Sequence, residues 1–263
     1  MGEVKKYGHP PYSVALLHGG PGAPGEMAPV AKNLMNYFSV LEPYQSADSI
    51  SGQVEELKSQ LDEYATYPVT LAGYSWGAWL AWIFAAKYPR LVIKVILISS
   101  GPFDEKYAPQ ITETRLSRLN RAEKQEAQFL LENADNAAVR DRFKLIKRIG
   151  ELLSKADSYK PDFKLGSEAI IMPDVYNKVW KEAEKTRSSG ALLGLAKKVK
   201  CMVSVIHGDY DPHPFEGVKG PLSKVKRKVT YTLLKNCGHT PWIEKEARTA
   251  FYTALAGEVR VLG

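Results

Sequence analysis

Residues 69–77, Val-Thr-Leu-Ala-Gly-Tyr-Ser-Trp-Gly, decide how this chain folds. The run Val69–Gly73 reads as a strand, and Ala78–Ala86 reads as a helix apolar nearly all round and therefore buried. A chain that passes from strand to helix in so few residues needs a tight, strained turn. The residues two before and two after its apex must be small, and here both are glycine, with Ser75 at the apex. Such a turn lifts the serine hydroxyl above the sheet and sets it at a helix N-terminus, whose free N–H groups favour an anion. The bland alternative is a glycine-rich turn with an idle serine.

The flanking sequence repeats the same alternation. Upstream, Ser13–Leu17 is an apolar run ending in His18-Gly19-Gly20-Pro21-Gly22, and Phe38–Leu41 is a second, closed by Glu42-Pro43. Val54, Leu57 and Leu61 then recur at helical spacing. Downstream, Val92–Ile98 has the β-branched content of a central parallel strand. The rhythm stops after Gly101-Pro102. From Ile111 to Lys200 no strand is expected; Val139, Phe143, Ile146 and Leu153 mark one helical face, and Asp174 opens a helix carrying Val175, Val179 and Ala183. It resumes with strands at Met202–Ile206 and Val229–Leu234 and a closing helix at Glu244–Leu255. This predicts an α/β fold with a mostly parallel sheet. Residues 1–103 and 199–263 would form the core, and 104–198 a helical insertion lying over it as a lid.

A serine at neutral pH is a poor nucleophile; it needs a base, and the base needs a carboxylate to orient it. Both follow Ser75 at strand ends, where α/β sheets place their sites. His207-Gly208-Asp209-Tyr210-Asp211-Pro212 comes after one strand, and Asn236-Cys237-Gly238-His239-Thr240-Pro241-Trp242 after the next. The order serine, acid, histidine is the one this kind of turn uses. Taken singly, His239 could be a surface imidazole, and either aspartate a turn former.

With these segments in place, the chain resembles the α/β-hydrolase superfamily, and within it the prolyl aminopeptidase (proline iminopeptidase) group. That group shares His-Gly-Gly-Pro-Gly, here 18–22, and has Trp after its nucleophile, as in Gly-Tyr-Ser-Trp-Gly. The resemblance covers 13–102 and 202–255. It implies a serine hydrolase working through an acyl-enzyme, with catalytic Ser75, Asp211 and His239. The acid usual in the superfamily lies three residues after the strand-end glycine, which selects Asp211 over Asp209. Gly20 and Trp76 would supply the oxyanion N–H groups. The implied substrate is a small ester or amide, or a short peptide with N-terminal proline. There are two departures. Few residues precede the first strand, so the leading antiparallel strands are reduced or absent. Between Ile111 and Lys200, 19 Lys and Arg face 13 Asp and Glu, whereas the aminopeptidases hold a substrate amine with lid carboxylates.

Composition narrows the remaining classes. The chain has 263 residues, 44% apolar and 25% charged, enough for one sizeable core. The net charge of +7 would admit nucleic acid or anionic lipid, but acids are interleaved with the bases and no nucleic-acid motif is present. No apolar run spans a bilayer, and the N-terminal residues lack an apolar signal core, so neither membrane insertion nor export is expected. Gly2 lacks the Ser or Thr at position six that myristoylation wants. Two cysteines make no disulfide framework, and a cytoplasmic protein is expected. His207, Asp209, Asp211 and His213 alternate like metal ligands, but Pro212 and Pro214 break the strand that would align them. No metal or cofactor is therefore expected. His213 reads as a loop residue at the pocket mouth, His18 as a backbone-positioning residue, and Cys237 as a buried structural thiol. A fold member that binds a ligand or partner without turnover is the reading from another class.

Overall fold

The computed structural model describes residues 2–133, 142–165 and 169–260. Among them a seven-stranded sheet forms from β1 (Val4–Tyr7), β2 (Val14–Leu17), β3 (Val40–Pro43), β4 (Val69–Tyr74), β5 (Val92–Ile98), β6 (Met202–Gly208) and β7 (Val229–Leu234). Their order across the sheet is β1-β3-β2-β4-β5-β6-β7. Only β1 runs antiparallel, against β3, so the leading antiparallel set is reduced to one short edge strand. The other pairs are parallel, with Leu17 opposite Gly73, Ile98 opposite Ile206 and Gly208 opposite Leu234. The loops after β2, β4, β6 and β7 therefore all leave the same edge of the sheet.

Both faces are buried, and the strand period of two divides them. Ala15, Leu17, Leu71, Val95, Leu97, Val203 and Val205 pack on one side with α2 (Ile50–Tyr64) and α3 (Trp76–Lys87). Val14, Leu16, Ala72, Ile96, Ile98 and Ile206 pack on the other, with α1 (Ala28–Leu34) and α10 (Arg248–Arg260). The helix α3 is buried on nearly every side, as its composition requires. No described helix is long and apolar enough to cross a membrane.

Between β5 and β6 the principal described elements are helices: α4 (Ala108–Ser117), α5 (Arg121–Glu132), α6 (Arg142–Asp157), α7 (Pro173–Ser188) and α8 (Ala191–Gly194). Asn120 and Glu123 form a reciprocal capping box that starts α5. On α7, Val179 and Ala183 face inward, in the expected register. The face expected for α6 is displaced by one position. Leu145, Leu152 and Ala156 are buried, while Ile146 and Leu153 are half-buried beside them. Val139 lies outside the described residues, as does the side chain of Phe143. The closing helix begins at Arg248 instead of Glu244. Glu244 is fully buried, and its carboxylate accepts the backbone N–H groups of Gly238, Tyr159 and Lys160. Finally, α9 (Glu216–Val225) lies between β6 and β7.

Candidate active site

The turn after β4 is strained at its apex. Ser75 has φ 51° and ψ −113°, a backbone conformation that non-glycine residues seldom adopt. The flanking glycines make it possible. A Cβ on Gly73 would lie 2.0 Å from the Gly77 carbonyl oxygen, and one on Gly77 would lie 2.4 Å from that of Leu17. Trp76 is the first residue of α3, so its N–H has no acceptor within the helix.

Ser75, His239 and Asp211 arrive on three separate loops and meet. His239 Nε2 stands 3.2 Å from Ser75 Oγ, and His239 Nδ1 stands 2.8 Å from Asp211 Oδ2. The groups that act most strongly on Asp211 are imidazoles. Burial alone would raise the Asp211 carboxyl, but His239, His213 and His207 outweigh it and hold the group well below the usual carboxylate range. Burial pulls His239 down, yet the charge of Asp211 and its hydrogen bond win and leave the imidazole above its ordinary value. Asp209 faces elsewhere: its carboxylate meets Lys235 at 3.4 Å and the Cys237 N–H at 3.4 Å. Burial pushes the Cys237 thiol far up, which suits a structural role.

The loop that carries Gly20 is pinned from two sides. His18 Nδ1 donates to the Gly20 carbonyl at 3.3 Å, while Nε2 accepts the Gln45 N–H at 3.2 Å. Burial depresses His18 to about 4, so it stays neutral and its tautomer is fixed by these two partners. The Gly19 N–H donates to Glu26 at 2.9 Å; burial pushes that carboxyl up to about 7. The ring of Tyr176, from α7, lies 3.6 Å from where a Gly20 Cβ would stand. Tyr176 stacks on Trp180, and Trp180 on Trp79 of α3, an aromatic column tying the inserted helices to the elbow helix.

The structure gives His213 a more specific place than the sequence did, and brings in residues that the sequence did not mark. His213 turns back onto Asp211 and stacks on His239 with centroids 4.2 Å apart. Asp157, at the end of α6, accepts the His239 N–H through its carbonyl at 2.8 Å and grips Arg115 of α4 through both carboxylate oxygens at 2.7 Å. The Tyr74 hydroxyl pairs with Thr240, and its ring meets that of His239. His213 was read from the sequence as a loop residue at the pocket mouth; the others depend on contacts between distant segments. Asp211, His213 and His239 also bring a carboxylate and two imidazoles close enough to consider a metal. The two Nδ1 atoms, however, are spent on opposite oxygens of the carboxylate.

Comparison with known proteins extends the fold assignment. No curated protein matches by sequence. Solved structures match over almost the whole chain at low identity. One is VinJ, with TM-score 0.69, 17% identity, and 99% of this chain and 95% of that one covered. Another is Est816, described as an N-acyl homoserine lactone degrading enzyme, at 0.64 and 14%, covering 97% and 95%. A third is a thermophilic esterase from Thermogutta terrifontis, at 0.62 and 16%, covering 98% and 92%. At these identities the likeness speaks for the fold alone. The sequence pattern of the alpha/beta hydrolase fold matches residues 45–246, about three quarters of the chain and the whole span from the elbow to His239. The chain belongs to the alpha/beta hydrolase fold family.

Proposed function

We propose that this protein is a serine hydrolase that cleaves a small ester or amide through an acyl-enzyme. The observation that carries this reading is the unbroken chain Ser75 Oγ–His239 Nε2 and His239 Nδ1–Asp211 Oδ2, at 3.2 and 2.8 Å. His239 takes the Ser75 proton as Oγ bonds to the substrate carbonyl carbon, and the carbonyl electrons move onto oxygen. The Gly20 and Trp76 N–H groups receive that oxyanion, each donor worth ~3 kcal/mol. Collapse expels the leaving group, which takes the proton from His239. Water then attacks the acyl-enzyme by the same base and frees Ser75. Asp211 stays ionised throughout and keeps the imidazolium stable.

The helices between β5 and β6 act in this reading as a lid that shapes the acyl pocket. Supporting it, Tyr176 covers the Gly20 loop, and the carbonyl of Asp157 holds the His239 loop. Small molecules or short peptides are the substrates such a covered site admits. Amide cleavage next to an N-terminal proline rests on the sequence resemblance, and Glu26, close enough to act on His239, is the acidic group to examine for a substrate amine. Labelling with a fluorophosphonate separates a hydrolase from a binder. A stable adduct mapped to Ser75 is expected; an inert Ser75 in folded protein would favour ligand binding without turnover.

A further inference from the structure

We propose that His213 is a positioning residue for this reaction, holding the carboxylate of Asp211 and the imidazole of His239 in working geometry together. The proposal rests on the serine hydrolase reading above. Asp211 has two oxygens, and they are divided. Oδ2 serves His239, while Oδ1 accepts two hydrogen bonds from one residue, the backbone N–H and the Nδ1–H of His213, both at 2.9 Å. A carboxylate only accepts, so the proton on His213 must sit at Nδ1. The grip is itself secured from behind. His207 Nε2 donates to the His213 carbonyl at 2.8 Å, in a fully buried position between β6 and the loop. The residues 207, 211 and 213 thus form a closed unit in which the acid cannot rotate without breaking two bonds to Oδ1.

The same ring also bears on the base. The His213 and His239 imidazoles are stacked, 26° apart in plane with centroids 4.2 Å apart. Both reach for the same carboxylate, but only His239 reaches Ser75. Burial depresses His213 to about 4, so its ring is neutral at working pH. A neutral neighbour restrains His239 without opposing the positive charge that His239 gains when it takes the serine proton. A charged one at this distance would oppose it.

The two contributions separate by substitution. His213→Asn keeps a donor near the Nδ1 position and loses the ring; His213→Phe keeps a ring and loses the donor; His213→Ala loses both. With a p-nitrophenyl ester, His213→Ala should lower kcat by on the order of 10²-fold, the cost of a small misplacement, with KM little changed. Restoration of most of that loss is expected in His213→Asn, which keeps a donor for Asp211, and only a small part in His213→Phe, which keeps the stacking alone. Proton NMR supplies a readout independent of turnover: the low-field Nδ1–H of His239 should persist in His213→Asn and broaden or vanish in His213→Ala and His213→Phe. Wild-type kcat in His213→Ala, or recovery by phenylalanine in place of asparagine, would overturn the role. If His213→Ala does not fold, the asparagine and phenylalanine variants decide between the same outcomes. If the wild-type protein cleaves neither esters nor anilides and its Ser75 takes no fluorophosphonate, the hydrolase reading falls by itself. An unchanged His239 proton in His213→Ala and His213→Phe would then separately overturn the positioning role.

Discussion

At the scale of residues, the site turns on which of two neighbouring aspartates supports His239. Asp211 touches the imidazole at 2.8 Å, whereas Asp209 serves Lys235 and the Cys237 N–H. Asp211→Asn is expected to cut turnover by on the order of 10³- to 10⁴-fold, and Asp209→Asn to leave most of it. The pH profile adds a sign. In the proposed mechanism His239 acts as a neutral base, and it is held above its ordinary value, so kcat/KM should rise with pH through a midpoint above about 6.5. Asp211→Asn removes the charge that raises this imidazole and leaves the burial that lowers it. The residual activity should therefore titrate at lower pH; a midpoint that stays put would argue against this pairing. Ser75, Asp211 and His239 were legible in sequence because each lies in a short motif at a strand end. His213 was legible only as a loop residue at the pocket mouth, because the pattern that places it two residues after an acid is shared by loops and metal ligands. Its role appears only when the side chain folds back.

At the scale of elements, the elbow and the helices meet opposite steric limits. Gly73→Ala would drive a methyl group to 2.0 Å from a backbone oxygen, which no flexible side chain can relieve. Loss of several kcal/mol, or an elbow too distorted for Ser75 to react, is the expected outcome of thermal melting and fluorophosphonate labelling. Gly150, inside α6, has nothing within 4 Å of where a methyl group would stand, so Gly150→Ala should stabilise the fold by about 0.5–1 kcal/mol through helix propensity alone. A raised melting temperature for Gly73→Ala would contradict the steric account. The elements that sequence missed are those whose local signals are weak. The edge strand β1 is Val-Lys-Lys-Tyr, polar where alternation is sought, and α1 is seven residues long with an early proline. In α9, Pro221 stands inside the helix with glycines nearby at 217 and 220, a composition that argues against helix in the sequence. The central strands and α3 were legible because both are buried on all sides, which demands unbroken apolar sequence.

At the scale of the whole molecule, the charge excess between Ile111 and Lys200 bears on substrate choice. Part of it is offset by acids outside the segment, in Lys160–Glu246, Lys178–Asp48 and Arg187–Glu105. Arg115 lies closer, near enough to act on His239 and Asp211, though gripped by Asp157. A substrate ammonium entering such a partly desolvated pocket should be disfavoured, since like charges repel more strongly as the dielectric falls. Proline p-nitroanilide, its N-acetylated form and a short neutral ester, compared at low and moderate salt, should rank the uncharged substrates first. Strong preference for the free amine would instead favour the aminopeptidase reading, with Glu26 as the group to examine. The fold was legible at this scale because strand, turn and helix alternate with motifs at fixed ends. The particular contacts of the inserted segment with the site were not, because Asp157, Tyr176 and Glu244 act across long separations in sequence. The most direct test of the account is the turnover of Ser75→Ala beside the wild type on a panel of p-nitrophenyl esters and aminoacyl anilides. The account predicts a folded variant with the same melting temperature to within a few degrees and a kcat lower by ~10³-fold or more. Comparable hydrolysis by the two proteins would contradict it.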